Sequence, residues 1–184
     1  MIRILVAVVV TLLLWTSRAH PLGWGVGAHL GLSSISTDLE ESGSSTLLSW
    51  PSNPFGYQPA LRLAVSDARH RDELQFDSGL FLLDESGSTL SLFASMFSLQ
   101  HTFWSSRPTA PFANVGLGWF REGGGERTST KQSYGAGIGV RHVVKQNHGA
   151  LRAEFRFDRL EPDALKGRRQ LTTIGLRLGF DLWL

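Results

Sequence analysis

"SYGAGIGVRHVV", residues 133–144, is the stretch that decides how this chain folds. Tyr134, Ala136, Ile138, Val140 and His142 fall on one side of the run; Gly135, Gly137, Gly139 and Arg141 fall on the other. Strict alternation is the period of an extended strand, whereas a helix would scatter these apolar residues around its circumference. The second face is nearly all glycine, and glycine weakens a strand unless something bulky needs the space above it. The run therefore predicts a strand with one greasy face and one face cleared to receive its neighbours' side chains.

The same alternation repeats along the sequence. Trp24, Val26, Ala28, Leu30 and Leu32 oppose Gly23, Gly25, Gly27 and His29. Tyr57, Leu61, Leu63 and Val65 oppose Arg62 and Ala64, with Pro59 early in the strand, where a missing donor does least harm. Leu74, Phe76, Leu80 and Leu82 oppose Gln75, Asp77 and Gly79. Phe97, Leu99 and Phe103 oppose Ser98, Gln100 and Thr102, but the preceding LSLFASMF is apolar on both faces and reads as a bulge site. Ala113, Val115, Leu117 and Trp119 oppose Asn114, Gly116 and Gly118. Leu151, Ala153, Phe155 and Phe157 oppose Arg152, Glu154, Arg156 and Asp158. The last run places Ile174, Leu176, Leu178, Phe180, Leu182 and Leu184 against Thr173, Gly175, Arg177, Gly179 and Asp181. These make eight strands, most of them about 9–12 residues long, near the length a tilted strand needs to cross a bilayer.

The connections differ in length. Ala68–Asp72, Ser105–Ala110 and Lys145–Gly149 are short and are assigned to the inner side; Asp84–Ser88 is short as well. Ser33–Gly56 is long and serine-rich, Glu122–Ser133 is glycine-rich, and Glu161–Gln170 is charged; these three are assigned as outer loops.

Residues 1–19 read as a cleavable signal peptide, with Arg3, an apolar run from Ile4 to Trp15 and small residues before His20. That run is too short for a membrane anchor, which needs about 20 residues. Residues 20–184 then form one domain. Removing Arg3 and Arg18 from the 18 basic residues leaves 16 against 16 acidic ones, so the mature chain is formally neutral and nucleic acid is not an expected partner. There are no cysteines, so disulfides and a lipidated N-terminal cysteine are excluded.

Periodicity alone fits two barrels: a soluble one with its apolar face inside, and a transmembrane one with that face in lipid. Glycine stripes favour the second, since a solvated face gains nothing from them. So do the aromatics, which gather toward strand ends. Trp24, Phe103, Trp104, Phe112 and Trp183 lie toward the inner side, with Phe55, Tyr57, Trp119, Phe120, Tyr134 and Phe157 toward the outer. Two such belts suit the two bilayer interfaces, and Trp24, Tyr57, Phe103, Trp119, Tyr134, Phe157 and Trp183 are taken as girdle residues. The predicted fold is an all-β, eight-stranded, antiparallel up-and-down transmembrane β-barrel. A sheet in lipid must close on itself, because no backbone edge can be left unpaired there.

With "PFANVGLGWF" (111–120), "SYGAGIGVRHVV" and "GLRLGFDLWL" (175–184), the chain resembles the small outer-membrane β-barrel proteins of Gram-negative bacteria, the OmpA-, OmpX- and OmpW-like group. The resemblance implies an outer-membrane location in contact with lipid and lipopolysaccharide. It also implies a last strand read by the barrel-assembly machinery through Leu176, Leu178, Phe180, Leu182 and Leu184. Leu184 stands where that group usually has Phe.

Charges on the inward face form the candidate site: Arg62, Asp77, Arg141, Arg152, Glu154, Arg156, Asp158, Arg177 and Asp181. Five positive and four negative groups are nearly balanced and are expected to pair as a plug rather than line a pore. The alternatives are a narrow ion channel through these residues and a lipid A-modifying hydrolase using His101 or His142. Both histidines lie on the apolar face, with Thr102 the nearest hydroxyl to His101 and no nucleophile–base pair evident. Neither histidine spacing nor the "EGGGE" run (122–126) forms a metal or phosphate motif, so no metal or cofactor is expected. The function read from sequence is therefore a non-enzymatic scaffold presenting surface loops. Those loops would meet a surface ligand, and Lys166, Arg168 and Arg169 would meet lipopolysaccharide phosphates.

Overall fold

The computed structural model describes residues 23–37, 45–49, 60–85, 88–124, 127–145, 148–161 and 171–183. They form nine strands: β1 (Gly23–Thr37), β2 (Ser45–Ser49), β3 (Ala60–Ser66), β4 (Asp72–Glu85), β5 (Ser88–Thr102), β6 (Thr109–Gly124), β7 (Arg127–Lys145), β8 (Gly149–Leu160) and β9 (Leu171–Trp183). All the pairings are antiparallel. β1 and β3 through β9 pair in turn, and β9 returns to β1 from Gly25↔Trp183 to Thr37↔Leu171. The sheet is a closed eight-stranded barrel. The signal-peptide segment, Tyr57 and Leu184 lie outside the described residues.

The apolar face looks outward. Leu61, Val115 and Ile138 are at least 60% exposed, and Leu176, Leu178, Phe180 and Leu182 of β9 are all exposed. Gly25, Gly27, Gly137 and the polar residues between the apolar ones are buried within. The glycines make room for specific side chains. Gly135, Gly137 and Gly139 of β7 sit opposite Asp158, Arg156 and Glu154 of β8, and a methyl group on Gly135 or Gly137 would collide with a carboxylate oxygen of Asp158 or Glu154. Gly25 lies under the Trp183 ring, whose nearest atom would be 2.7 Å from an added Cβ.

Four expectations change. First, no bulge lies in the first half of β5. Its registers with β4 and β6 run unbroken, and among the described residues the register shifts only between Val143 and Lys145 against β8. The stretch is apolar on both faces because Ala94 and Met96 point inward and pack with Phe120 and Leu160.

Second, Glu122–Ser133 is not a loop: β6 and β7 continue as a ladder to Gly124↔Arg127. Third, part of Ser33–Gly56 is strand, because β1 runs to Thr37 and its outer half pairs with β2. Alternation is imposed where one face meets lipid and the other the lumen. Polar strands that continue past the barrel's apolar zone keep their hydrogen bonds and lose that signature.

Fourth, Trp183 is not a girdle residue. It shares the parity of Asp181, is 6% exposed and stacks inside the barrel on His70 at 4.3 Å between ring centroids. Phe112 and Phe120, also placed in the belts, are buried inside for the same reason.

Unfolding in urea from detergent micelles checks the sidedness. Leu178→Arg is expected to cost about 2–4 kcal/mol, and Gly137→Val about 1–3 kcal/mol by overpacking against Glu154. Gly149→Ala, whose methyl would meet Leu182 and the Asp181 carbonyl at an ordinary 3.6 Å, is expected to unfold like the parent.

Candidate functional site

The barrel interior is built in tiers. At the inner end Trp183, Phe112, Ala64, Ala110 and Ala150 are buried. The first charged tier follows. Arg141 Nη1 donates to Glu73 Oε1 at 2.6 Å, and Arg152 Nη1 lies 3.8 Å from the other Glu73 oxygen and 3.1 Å from Asp181 Oδ2. Arg62 Nη1 is 3.9 Å from Asp181, and its Nε and Nη2 donate to both oxygens of Asp77 at 2.7 and 3.0 Å. The guanidinium of Arg152 also lies 4.6 Å from the centre of the Phe112 ring, within cation–π range.

A second tier sits further out. Arg177 Nη2 donates to Asp158 Oδ2 at 3.0 Å, and Arg156 Nε donates to Asp158 Oδ1 at 2.7 Å. Arg156 Nη1 reaches Glu154 at 3.3 Å and the Asn114 carbonyl at 2.9 Å, while Asn114 Nδ2 donates to Glu154 at 2.9 Å. Its remaining amino group meets the Met96 sulfur. Beyond this tier lies the apolar cluster of Ala94, Met96, Phe120 and Leu160.

All nine charged residues named from the sequence lie in these tiers, each at most 5% exposed. The sequence reading missed Glu73, also buried, because the strand was started one residue late; Glu73, Gln75 and Asp77 alternate without a break. Glu73 explains an otherwise hostile register. Arg141 and Arg152 sit directly opposite each other on β7 and β8, like charges that repel at cross-strand distance. Glu73 of β4 reaches across the lumen to both, and Gln75 Nε2 bonds Glu73 and Gln100 at 2.9 and 3.0 Å. Gln100 in turn accepts from Arg152. Five arginines thus face five carboxylates. His29, noted only as lying among glycines, is buried with neither ring nitrogen hydrogen-bonded.

Outside the barrel, His101 Nδ1 lies 2.6 Å from Asp72 Oδ1, and His142 Nδ1 lies 2.7 Å from Thr109 Oγ1. A hydrolytic centre needs nucleophile, base and orienting acid in one chain of contacts. Among the described residues the first pair shows no nucleophile and the second no carboxylate. At the inner end, Ser66 Oγ and His70 Nδ1 are 2.7 Å apart, and burial together with the Arg141 guanidinium holds the His70 imidazole below its ordinary pKa.

No family model and no curated protein sequence matches the chain. Solved structures match its fold. The crystal structure of Neisserial surface protein A superposes with a TM-score of 0.60 at 16% identity, covering 86% of this chain and 96% of that one. Ail, the attachment invasion locus protein of Yersinia pestis, in complex with the heparin analogue sucrose octasulfate, superposes with a TM-score of 0.53 at 10% identity, covering 89% and 97%. The fold is that of the small outer-membrane β-barrels.

In such a barrel short turns face the periplasm and longer loops face out. The connections after β3, β5 and β7 lie at the end that carries Gly23 and Trp183, while the two longest, from β1 to β3 and from β8 to β9, lie at the other. Of the girdle residues, Trp24 and Phe103 are exposed toward this inner end, and Trp119, Tyr134 and Phe157 toward the other. Phe97 joins the outward aromatic surface, packing on Phe76 at 4.7 Å and on Trp119 at 6.2 Å between centroids. Leu176, Leu178, Phe180 and Leu182 form one exposed row on β9, beside the row of β1 that carries Val26.

Breaking one partner of a buried pair leaves the other charge stranded. Arg62→Leu is expected to lower stability by about 3–5 kcal/mol, and adding Asp77→Leu is expected to restore a substantial part. The midpoints of urea unfolding give the comparison; a neutral single substitution would show that the pair does not hold the tier together.

Proposed function

We propose that the protein is a non-enzymatic outer-membrane scaffold, exported through residues 1–19, whose filled lumen supports surface loops rather than passing solutes. The observation that carries this reading is the interior itself. Two tiers of paired charges lie between the buried inner-end residues and the Met96–Phe120 cluster, as expected for an eight-stranded barrel whose interior is just wide enough for its side chains. A barrel with no open path has its useful surface at its ends. Ail, the attachment invasion locus protein, shares the fold and was crystallised with a heparin analogue, which supports surface recognition as the role of the outer end. The β1–β2 and β6–β7 ladders give that end rigid stems.

Lys166, Arg168 and Arg169 belong to the outer segment between β8 and β9 and are proposed to meet lipopolysaccharide phosphates. The exposed row of β9, with Leu184, is proposed as the strand presented to the assembly machinery. The narrow channel and the lipid A hydrolase remain the competing functions. The His101–Asp72 and Thr109–His142 pairs are the nearest approach to hydrolytic chemistry, and each is incomplete.

Three measurements test the proposal together. Membrane-extracted protein is expected to migrate faster on gels when unheated than when boiled, as a closed barrel does. Planar bilayers containing it are expected to show no discrete conductance steps. Envelope lipid A is expected to be unchanged whether His101 and His142 are present or both replaced by alanine. Regular conductance steps or a histidine-dependent change in lipid A would each replace the scaffold reading with the corresponding rival.

A further inference from the structure

The inner end of the barrel opens into a mouth of about 910 Å³ between the turns at 67–71 and 103–108 and the start of β8. Its charge is one-sided. Among the described residues that line it are Arg69, Arg71, Arg107 and Arg141 with His70 and His148, and none is acidic. The neighbouring carboxylates are already engaged. Asp67 Oδ1 accepts the Arg71 backbone N–H at 2.7 Å, Asp72 pairs with Arg71 at 3.2 Å and with His101, and Glu73 pairs with Arg141. Arg69 and Arg107 on the rim have no carboxylate partner among the described residues, and Arg107 lies 5.5 Å above the exposed Trp104 ring.

The floor is also unsatisfied. Arg141 is 2% exposed and spends Nη1 on Glu73, yet its Nε is buried without a partner. A buried guanidinium donor left unpaired is costly, and an oxyanion is the group that answers it best. The hydroxyls of Ser105 and Ser106 on the lining add neutral donors. Several converging cations with neutral donors and no competing carboxylate make a phosphate receptor, since guanidinium forks match phosphate oxygens in pairs.

We propose that the periplasmic mouth is a binding site for a phosphate ester, held by Arg69 and Arg107 at the rim above the Arg141 guanidinium at the floor. The mouth is within the size of small-ligand sites, roughly 300–1,000 Å³, so it takes an esterified phosphate as readily as the bare ion. Two sources share this chemistry: the headgroup of an inner-leaflet glycerophospholipid and a soluble phosphate ester. Exposed Trp104 lines the mouth, with exposed Phe103 next to it in the chain, and interfacial aromatics of this kind bring headgroups within reach. The site is independent of what the outer loops recognise.

The test uses the full mature chain and an Arg69→Ser/Arg107→Ser double variant, which leaves the barrel's interior untouched. Glycerol 3-phosphate titrated calorimetrically into detergent-solubilised protein reads the soluble arm. Native mass spectrometry from phosphatidylcholine nanodiscs doped with phosphatidylglycerol reads the lipid arm. Binding in either arm is expected to weaken at least about tenfold in the double variant, the loss of one or two charge-assisted hydrogen bonds, with heat-modified migration unchanged. Retention of phosphatidylglycerol without glycerol 3-phosphate binding assigns the lipid source, and the reverse assigns a soluble one. No binding by the parent protein in either arm, or equal binding by the double variant, overturns the site.

Discussion

The constraint on which everything else depends is the closure of β9 onto β1. Lipid supplies no partner for a backbone N–H or C=O, so a sheet can cross it only without edges. The register from Gly25↔Trp183 to Thr37↔Leu171 removes the last edge and fixes the barrel at eight strands. Eight strands leave a lumen only about as wide as side chains that meet across it. The contents of that lumen follow. Every inward residue must fit opposite another, and so glycine makes room beside Trp183, Asp158, Glu154 and Asp181.

The same closure gives the charges a job other than adding stability. Buried ion pairs seldom outdo well-packed hydrophobic residues once desolvation is counted. They are, however, intolerant of the wrong face. A one-residue slip of any strand exchanges its two faces. In β8 such a slip would carry Arg152, Glu154, Arg156 and Asp158 into lipid at up to about 2–4 kcal/mol for each arginine near the midplane. Uniformly apolar strands would pair almost equally well in several registers. The interior charges make one register far better than its neighbours, and the tiers across the lumen tie non-adjacent strands to the same choice.

Much of this was legible in the sequence, and each failure has its own physical cause. Alternation revealed each barrel strand wherever lipid and lumen imposed opposite demands on its two faces, and parity alone assigned all nine named charges to the lumen. Where those demands lapse, the signal lapses with them. The ladder through Gly123 and Thr128 is as continuous as the rest, but its polar residues gave it the look of a loop. Trp183 was misassigned because residue type was weighed over parity; an indole suits an interface, but its place in the alternation put it beside Gly25 and His70. Glu73 was lost at a strand boundary. Its role in relieving Arg141 and Arg152 is a contact across the lumen, which no local pattern encodes.

The two ends of the tube are held differently, and this follows from how the interior is filled. Toward the outside, Ala94, Met96, Phe120 and Leu160 close the charged tiers with an apolar layer that asks nothing of a ligand. Toward the inner end, Trp183 lines the opening together with the arginine-rich turns. The first charged tier ends there on Arg141, a lining residue of the mouth, whose partner Glu73 answers one of its nitrogens and leaves Nε without a partner. Two tiers balanced between five arginines and five carboxylates can still be locally unbalanced at their last member. Unpartnered buried atoms also occur deeper, at His29 and Arg177 Nη1, but Arg141 is the one among these three residues that lines the inner mouth, where no acidic side chain among the described residues competes for a ligand.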